Sequence, residues 1–549
     1  MSDLIFRALG GASEVGASCY YLGLLKNGAA TPSYGILLDC GVRPNAIGEA
    51  SLPALSCLEG LPVDLVLVTH AHLDHCGALP VIRKLVPGAR VFATEPTIEL
   101  AKLMLQDAAK VGEQEGAPLF SPGEAMEAAA SVQSLPFGQT IDMGQATVTA
   151  WPAGHILGAA YYEIEFGPYR ILYTGDISIT SQHTVGSAAM PPGTNPVDVV
   201  VSESTYGNIL LPSRKEEVRA FVLAVQSVIA RGGRVLIPSF ALGRAQEIIL
   251  ILLGAITSRD LPPTVPIYLD GLVRGVTEAY VRLSDFLPEK LANFIRNSRQ
   301  NPFLRDPVRV VSSQAERLEI IRDRRPSVIV ASSGMLTGGV SPMYAAEILR
   351  EEESAVFFVG YQDEESPGGR ILELGPGDSI RLGQQGIEVE IAASIEQYKL
   401  SAHADSAGLQ NFLSRFPSHS ILLVHGDNAA RDNLFSAMKT DRVVWKPKNG
   451  DVFDPLSAPA WLTAPAAPDQ RGEPVKVESR KVQGTVECRP DGSVAVVYPP
   501  EVKEMFEGIT AVRTVLRRSP VKLRIEGAAN PAGDGGEDGE EEPGKMPAE

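Results

Sequence analysis

The segment Thr69-His70-Ala71-His72-Leu73-Asp74-His75 constrains this chain more than any other stretch of it. It directly follows Val63-Asp64-Leu65-Val66-Leu67-Val68, an apolar, branched run of the length of a buried strand. A strand ending in H-x-H-x-D-H sets four metal-binding side chains within six residues at the edge of a sheet. Histidine nitrogens and carboxylate oxygens suit zinc. Four such ligands in one loop exceed what a single tetrahedral site with an open position takes, so the spacing points to two metals. The chain has only 8 histidines, and six of them fall where such a centre needs them.

The remaining ligands are expected at other strand ends. A strand over residues 147–151 leads to His155, one over 170–173 leads to Asp176, and one over 421–424 leads to His425. A lone histidine after a strand is usually a hydrogen-bonded structural residue, but three repeats of the same strand-then-ligand pattern argue together. Tyr34–Leu38 ends likewise at Asp39. Asp39 reads as the carboxylate that orients the histidine loop, because ligating imidazoles need a partner on their other nitrogen. His183 and His419 match no ligand pattern and read as exposed or capping residues.

The order Asp39, His70-x-His72-x-Asp74-His75, His155, Asp176 resembles the metallo-β-lactamase superfamily. Ser202-Glu203-Ser204-Thr205-Tyr206-Gly207, Leu400-Ser401-Ala402-His403-Ala404-Asp405 and Val424-His425-Gly426 look like the three additional motifs of its β-CASP nucleases. Four further segments narrow the comparison: Leu9-Gly10-Gly11-Ala12-Ser13-Glu14-Val15-Gly16, the stretch Pro238-Ser239-Phe240-Ala241-Leu242-Gly243-Arg244-Ala245-Gln246-Glu247, Ser332-Ser333-Gly334-Met335-Leu336 and Val359-Gly360-Tyr361-Gln362. They are most similar to the endonuclease subunit of the eukaryotic pre-mRNA 3′-end cleavage complex and its prokaryotic relatives. The resemblance covers roughly residues 1–450.

That resemblance implies two Zn2+ per chain, with His70, His72 and His155 on one metal, Asp74, His75 and His425 on the other, and Asp176 bridging. Asp74, Asp176, Glu203 and His403 form the implied catalytic set, His403 protonating the leaving 3′ oxygen and Glu203 keeping that imidazole charged. The implied substrate is single-stranded RNA, cut to 5′-phosphate and 3′-hydroxyl ends. His425 favours RNA, since DNA-repair members typically lack a histidine there. Ala402 departs from the glycine usual in the bacterial RNase J group. Asp427 stands where relatives often carry Glu, and is expected to reach a nearby backbone or ligand group instead. Endonucleolytic cleavage is the leading reading, with a 5′-to-3′ exonuclease of the RNase J type as its alternative. A small-molecule hydrolase would not need the long insertion or His403, and a non-catalytic scaffold would lack ligands that are all present.

A formal charge of −17 needs explaining in a nucleic-acid enzyme. Residues 530–549 hold seven acids against one lysine, which leaves −11 for the remainder. Two divalent ions add positive charge to the site itself, and phosphates respond to local charge. Arg244, Lys399, Arg431, Lys446 and Lys448 lie near motifs and are candidate phosphate ligands; Arg244, Ser401 and Lys399 are taken as substrate-binding. The remaining deficit argues against broad, tight, non-specific binding.

The expected fold is α/β: an αββα sandwich of the metallo-β-lactamase type, an inserted β-CASP cap with a parallel sheet, and a small C-terminal α+β domain. Residues 1–207 and 386–450 form the two parts of the first domain, and 208–385 the cap, where helices over 214–231 and 241–258 alternate with strands over 234–238, 266–269, 327–331 and 355–360. An Ala/Pro-rich linker is expected over 451–474, with three prolines and five alanines in residues 457–468. Residues 475–527 read as strands over 475–482, 484–488 and 494–498, a turn at Pro490-Asp491-Gly492, a helix over 501–516 and a basic cluster from Arg513 to Arg524. That cluster suits RNA, a processing partner or plain solvent equally, and a homodimer through this domain stays open. The end from 528 reads as an acidic disordered tail. No apolar run is long enough for a membrane span, no signal-like leader opens the chain, and the cysteines form no C-x-x-C pair, so a cytoplasmic enzyme with reduced, buried thiols is expected.

Overall fold

Two seven-stranded sheets face one another and carry the site along one shared edge. The computed structural model describes residues 2–457, apart from 27–28, 194–195, 384–385 and 440–441, together with the strands Thr485–Cys488 and Val494–Val497. In the first sheet the strands run Val452–Phe453, Leu4–Gly10, Cys19–Leu24, Tyr34–Leu38, Leu65–Leu67, Arg90–Ala93 and Gln133–Ser134. In the second they run Val443–Trp445, Ser418–Val424, Val197–Glu203, Tyr169–Tyr173, Ala160–Phe166, Ala146–Pro152 and Thr140–Asp142. Their inner faces share one apolar cluster, with Phe6, Leu22, Ile36 and Leu38 meeting Val148, Ile164, Val199 and Leu422.

Alternation explains the outer strands. Leu4–Gly10 and Ala146–Pro152 bury every second side chain at their starts, as strands with one packed face do. Cys19–Leu24 is buried throughout, because helices such as Glu95–Gln114 and Ser406–Ser414 cover the outer faces of the sheets. A fully buried Val or Leu contributes about 1.5–3 kcal/mol relative to exposure. A slip of one residue would turn a whole row outward, so the register that places the site is strongly fixed.

Tyr169–Tyr173, Val197–Glu203 and Ser418–Val424 are adjacent and parallel, with Glu203 opposite Val424. Ala146–Pro152 joins them through the antiparallel Ala160–Phe166 and therefore points the same way. The chain thus leaves four strands at one edge, where Asp176, Glu203, His425 and His155 follow or end them.

The cap sheet is entirely parallel, in the order Val308–Val310, Ile267–Asp270, Val328–Ala331, Val235–Pro238, Ala355–Phe358, Ser394–Gln397. Its last strand lies beyond residue 385. Ala355↔Ser394 through Phe358↔Gln397 pair in parallel, so Ser394–Gln397 forms the edge strand of the cap sheet. The hairpin Ser379–Leu382 with Ile387–Glu390 straddles the expected boundary.

Compactness separates Met1–Pro459 from Ala460–Glu549. Within the second unit, Thr485–Cys488 pairs antiparallel with Val494–Val497, at the positions read as strands. The linker core, the Pro490 turn, the helix over 501–516, the basic cluster and the acidic tail lie outside the described residues. Cys19, Cys40 and Cys76 are buried free thiols; Cys57 is exposed, against expectation, because it sits in a surface 3-10 turn, Leu55–Leu58. No helix among the described residues is long and apolar enough to cross a membrane.

Candidate metal centre

Seven side chains predicted as ligands converge into two sets that share one carboxylate. His70, His72, His155 and Asp176 offer ligand atoms within 4.8 Å of one another, and so do Asp74, His75 and His425. Asp176 Oδ2 lies 3.6 Å from His70 Nε2 and 3.7 Å from His155 Nε2. Its Oδ1 lies 3.4 Å from His75 Nε2 and 3.2 Å from His425 Nδ1. Asp74 Oδ2 stands 3.4 Å from His425 Nε2 and 3.8 Å from His75 Nε2. Bonds of about 2.0–2.2 Å at tetrahedral angles put ligand atoms roughly 3.3–3.6 Å apart, close to the 3.2 to 3.8 Å of these pairs.

The donor chemistry fits cations as well as the spacing does. His75 Nε2, His425 Nε2 and Asp176 Oδ1 are enclosed and have no hydrogen-bond partner, although buried polar atoms are normally paired. Burial, followed by the neighbouring His75, holds His70 well below its ordinary pKa; burial and then His403 do the same to His155, and burial lowers His72. Neutral imidazoles offer the lone pair that a cation needs. Burial opposes charge on His75, but Asp176, Asp74 and Asp39 together raise it well above the usual range. The carboxylates therefore demand positive charge at this place, which a divalent ion would supply.

Each imidazole of the His70–His75 loop, and His155, has its other nitrogen held. His75 Nδ1 meets Asp39 Oδ2 at 2.7 Å. His70 Nδ1 lies 3.0 Å from Thr69 Oγ1, His72 Nε2 3.2 Å from the Leu242 carbonyl, and His155 Nδ1 3.0 Å from the Ala402 carbonyl. Such contacts fix the tautomer and the ring plane. Asp39, fully buried, also accepts from Thr69 N, Thr69 Oγ1 and Tyr173 Oη. His425 adopts φ 48, a left-handed conformation uncommon outside glycine and frequent at functional sites.

The loop itself is clamped by backbone. Val42 N donates to Leu73 O, Cys40 N to His75 O, and Ser18 N to Asp74 O. A Cβ on Gly41 would stand 1.7 Å from Asp74 O, so only glycine permits this approach. Gly41→Ala is therefore expected to push Asp74 and His75 out of place. Strain of this kind costs about 1–3 kcal/mol, and the variant should show both a lower Tm and fewer ions per chain. Retention of the wild-type metal content would contradict that assignment.

A third set lies against the first two. Glu203, at the end of its strand, accepts from Ile177 N and Thr205 Oγ1 and meets His403 Nδ1 at 2.9 Å. His403 Nε2 faces Asp176 Oδ2 at 3.9 Å. Burial works against the imidazolium, yet Glu203 and then Asp176 carry the His403 pKa up to about 9. His403 and Asp74 are 15% and 22% exposed as side chains, so they mark the open side of the centre. The His403 amide donates to Ser401 Oγ at 3.0 Å.

Candidate substrate residues divide. Lys399 and Ser401 line a neighbouring cavity of ≈ 670 Å³ with Tyr206, Tyr361 and Gln397. Arg244 is buried beside the metal loop, two residues after Leu242. Arg431 is not a phosphate ligand: it is buried and donates to Leu423 O and Pro447 O. Lys446 pairs with Asp432 and lies over the Phe435 ring. Lys448 is exposed, and its amide donates to Asp451. Asp427 caps the helix Asn428–Met438 through Ala430 N at 2.7 Å. His419 meets the Leu456 carbonyl, and His183 Nδ1 lies 2.8 Å from buried Glu247.

Three family models match in order: a metallo-β-lactamase superfamily domain over residues 31–205, a β-CASP domain over 245–371, and a Zn-dependent metallo-hydrolase RNA specificity domain over 388–444. Transcription termination factor FttA of Methanothermobacter thermautotrophicus is 33% identical over 462 residues, which are 80% of this chain and 70% of that protein. The chain belongs to the β-CASP family of metallo-β-lactamase-fold proteins. FttA of Methanocaldococcus jannaschii is 32% identical, covering 77% of this chain and 66% of its own length. Endoribonuclease YSH1 of Saccharomyces cerevisiae is 31% identical, covering 82% and 58%. This β-CASP chain thus spans between 56% and 66% of the length of several of the relatives it matches. The two parts read as a metallo-β-lactamase domain and an inserted β-CASP cap are those of the family.

Proposed function

We propose that this chain is a zinc-dependent ribonuclease that cuts single-stranded RNA internally and leaves 5′-phosphate and 3′-hydroxyl ends in the cytoplasm. The observation that carries the reading is Asp176, one carboxylate shared by two histidine sets, with a Glu203-paired imidazole facing the same oxygen. Two zinc ions bound there would supply Lewis-acid activation of a water nucleophile and neutralise charge on the phosphate under attack.

The residues do the rest. Asp176 ties the two donor sets together, and Asp39 and the backbone carbonyls of Leu242 and Ala402 keep the imidazoles aimed inward. His403 Nε2, on the open side, gives its proton to the leaving 3′ oxygen. Glu203 accepts the Nδ1 hydrogen bond and so holds the ring charged and oriented. Ser401 Oγ pins the His403 amide. Asp74 completes the second donor set at its solvent side. The endoribonuclease name of the YSH1 relatives and the RNA specificity model over 388–444 support RNA as substrate.

The test is one single-stranded RNA labelled at either end, bearing a 5′ monophosphate or triphosphate, incubated with zinc-loaded protein. Internal fragments independent of the 5′ group are expected. Mononucleotides released only from the monophosphate form would make the enzyme a 5′ exonuclease. Intact RNA in both cases would overturn the proposal.

A further inference from the structure

Arg244 opens the helix Arg244–Thr257 and is 7% exposed. Its Nη1 is enclosed without a partner, and among the described residues no acceptor is hydrogen-bonded to its guanidinium. Buried charge is costly unless paired. The nearest carboxylate on the same helix, Glu247, is already engaged: it accepts from Arg214 Nη2 at 2.7 Å, from His183 Nδ1 at 2.8 Å, and from the amides of His183 and Thr184. Arg214 Nη1 also donates to Ser401 O. Arg214 is thus hydrogen-bonded to a carboxylate, whereas Arg244 feels Glu247 only through space. Burial, followed by the nearby Arg214, pushes the Arg244 pKa down to about 10; an arriving anion would relieve both effects.

Location says which anion. The Leu242 carbonyl touches His72, and Gly243 is pressed so close that a Cβ would stand 2.6 Å from Ile156, the neighbour of His155. On the other side Arg244 adjoins Tyr206, whose ring meets the His403 ring edge-on at 5.9 Å. Arg244 therefore lies between the first donor set and the proton donor, on the cap side. The neighbouring cavity carries Asp363, Glu364, Glu365 and Asp427 instead, which repel phosphate.

We infer that Arg244 is an RNA-phosphate ligand, gripping with its planar fork the phosphate next to the scissile one on the cap side of the strand. The inference rests on the ribonuclease reading above. A planar guanidinium suits two parallel bonds to phosphate oxygens, and an ammonium does not reproduce them.

The test uses full-length, zinc-loaded protein and a short RNA with one mapped cleavage position, plus variants of that RNA carrying one uncharged methylphosphonate linkage at each neighbouring position. With the wild type, one linkage on the cap side is expected to lower kcat/KM by about 10- to 100-fold, the span of a hydrogen bond to a charged group. Arg244→Ala should lose a similar factor on unmodified RNA, keep the wild-type metal content, and lose nothing further at that one linkage. Arg244→Lys, which keeps the stem and the charge, should show a partial loss at the same linkage and serves if the alanine form does not fold. Equal sensitivity of wild type and both variants at every linkage would overturn the inference while leaving the ribonuclease reading intact. Failure of the wild type to cleave any of the RNAs would overturn that reading, and the inference with it.

Discussion

Asp176→Ala is expected to abolish RNA cleavage and to empty both donor sets at once. Among the described residues no other faces both: its Oδ2 faces His70 and His155, and its Oδ1 faces His75 and His425. Burial disfavours its charge, but His425, His75 and His403 hold it well below the usual carboxylate range, so it is ionised throughout the neutral region. Removing a partner that merely orients a ligand costs about 10- to 100-fold in metal affinity or activity. Loss of a shared ligand should exceed that, so a fall in kcat/KM of at least roughly 1000-fold is expected. The metal count per chain, measured by elemental analysis, should drop with it. A ligand that binds only the folded state raises Tm, so added zinc should stabilise the wild type and leave the variant's Tm nearly unchanged. A variant with full metal content and more than about 1% of the activity would show that Asp176 is not the shared ligand.

Much of this centre was legible in the sequence because each ligand sits where a strand stops. Strand edges are the rigid places from which a short loop can aim a side chain, and the H-x-H-x-D-H loop, His155, Asp176 and His425 all carry that pattern. The partners behind the ligands were harder to see. Ala402 touches His155 through its carbonyl across 247 residues, and Leu242 reaches His72 the same way across 170. A backbone carbonyl belongs to every residue type, so no letter in the sequence announces it. Thr69 and Tyr173 were equally silent, although both lie beside ligand-bearing loops and donate to Asp39.

Charge was the least legible property. Arg431 and Lys446 lie near a motif, yet nearness along the chain does not tell which face of a helix or strand a side chain takes. Arg431 turns inward to two backbone carbonyls, while the Nη1 of Arg244, beside an equally apolar stretch, has no hydrogen-bond partner among the described residues. The edge of the cap sheet is hard to see for a related reason. Residues 379–397 alternate as any short strands do, and only the pairing of Ala355–Phe358 with Ser394–Gln397 decides which sheet they join.

His403→Ala separates chemistry from metal binding. His403, Glu203 and Asp176 could themselves be a third ligand set, since their atoms lie close enough. The place of His403 on the open side of both donor sets, where a leaving oxygen would arrive, argues instead for a proton donor. If so, His403→Ala should keep the wild-type metal count and slow cleavage by about 10²- to 10⁴-fold, the usual worth of a positioned acid. An RNA with sulfur in place of the bridging 3′ oxygen releases a thiolate that needs no proton, so the variant should cut it at nearly the wild-type rate. The pH dependence follows with a definite sign. The donor works while protonated, so activity is lost as pH rises through its pKa, which Glu203 and Asp176 raise against burial to about 9. Cations in the neighbouring donor sets pull the other way, and the alkaline limb of the loaded enzyme should therefore fall below that value. Glu203→Gln removes the largest upward influence and should shift the limb to lower pH by roughly one pH unit more. A metal deficit in His403→Ala, with no recovery on the sulfur-substituted RNA, would make His403 a ligand and leave the leaving oxygen to find its proton elsewhere.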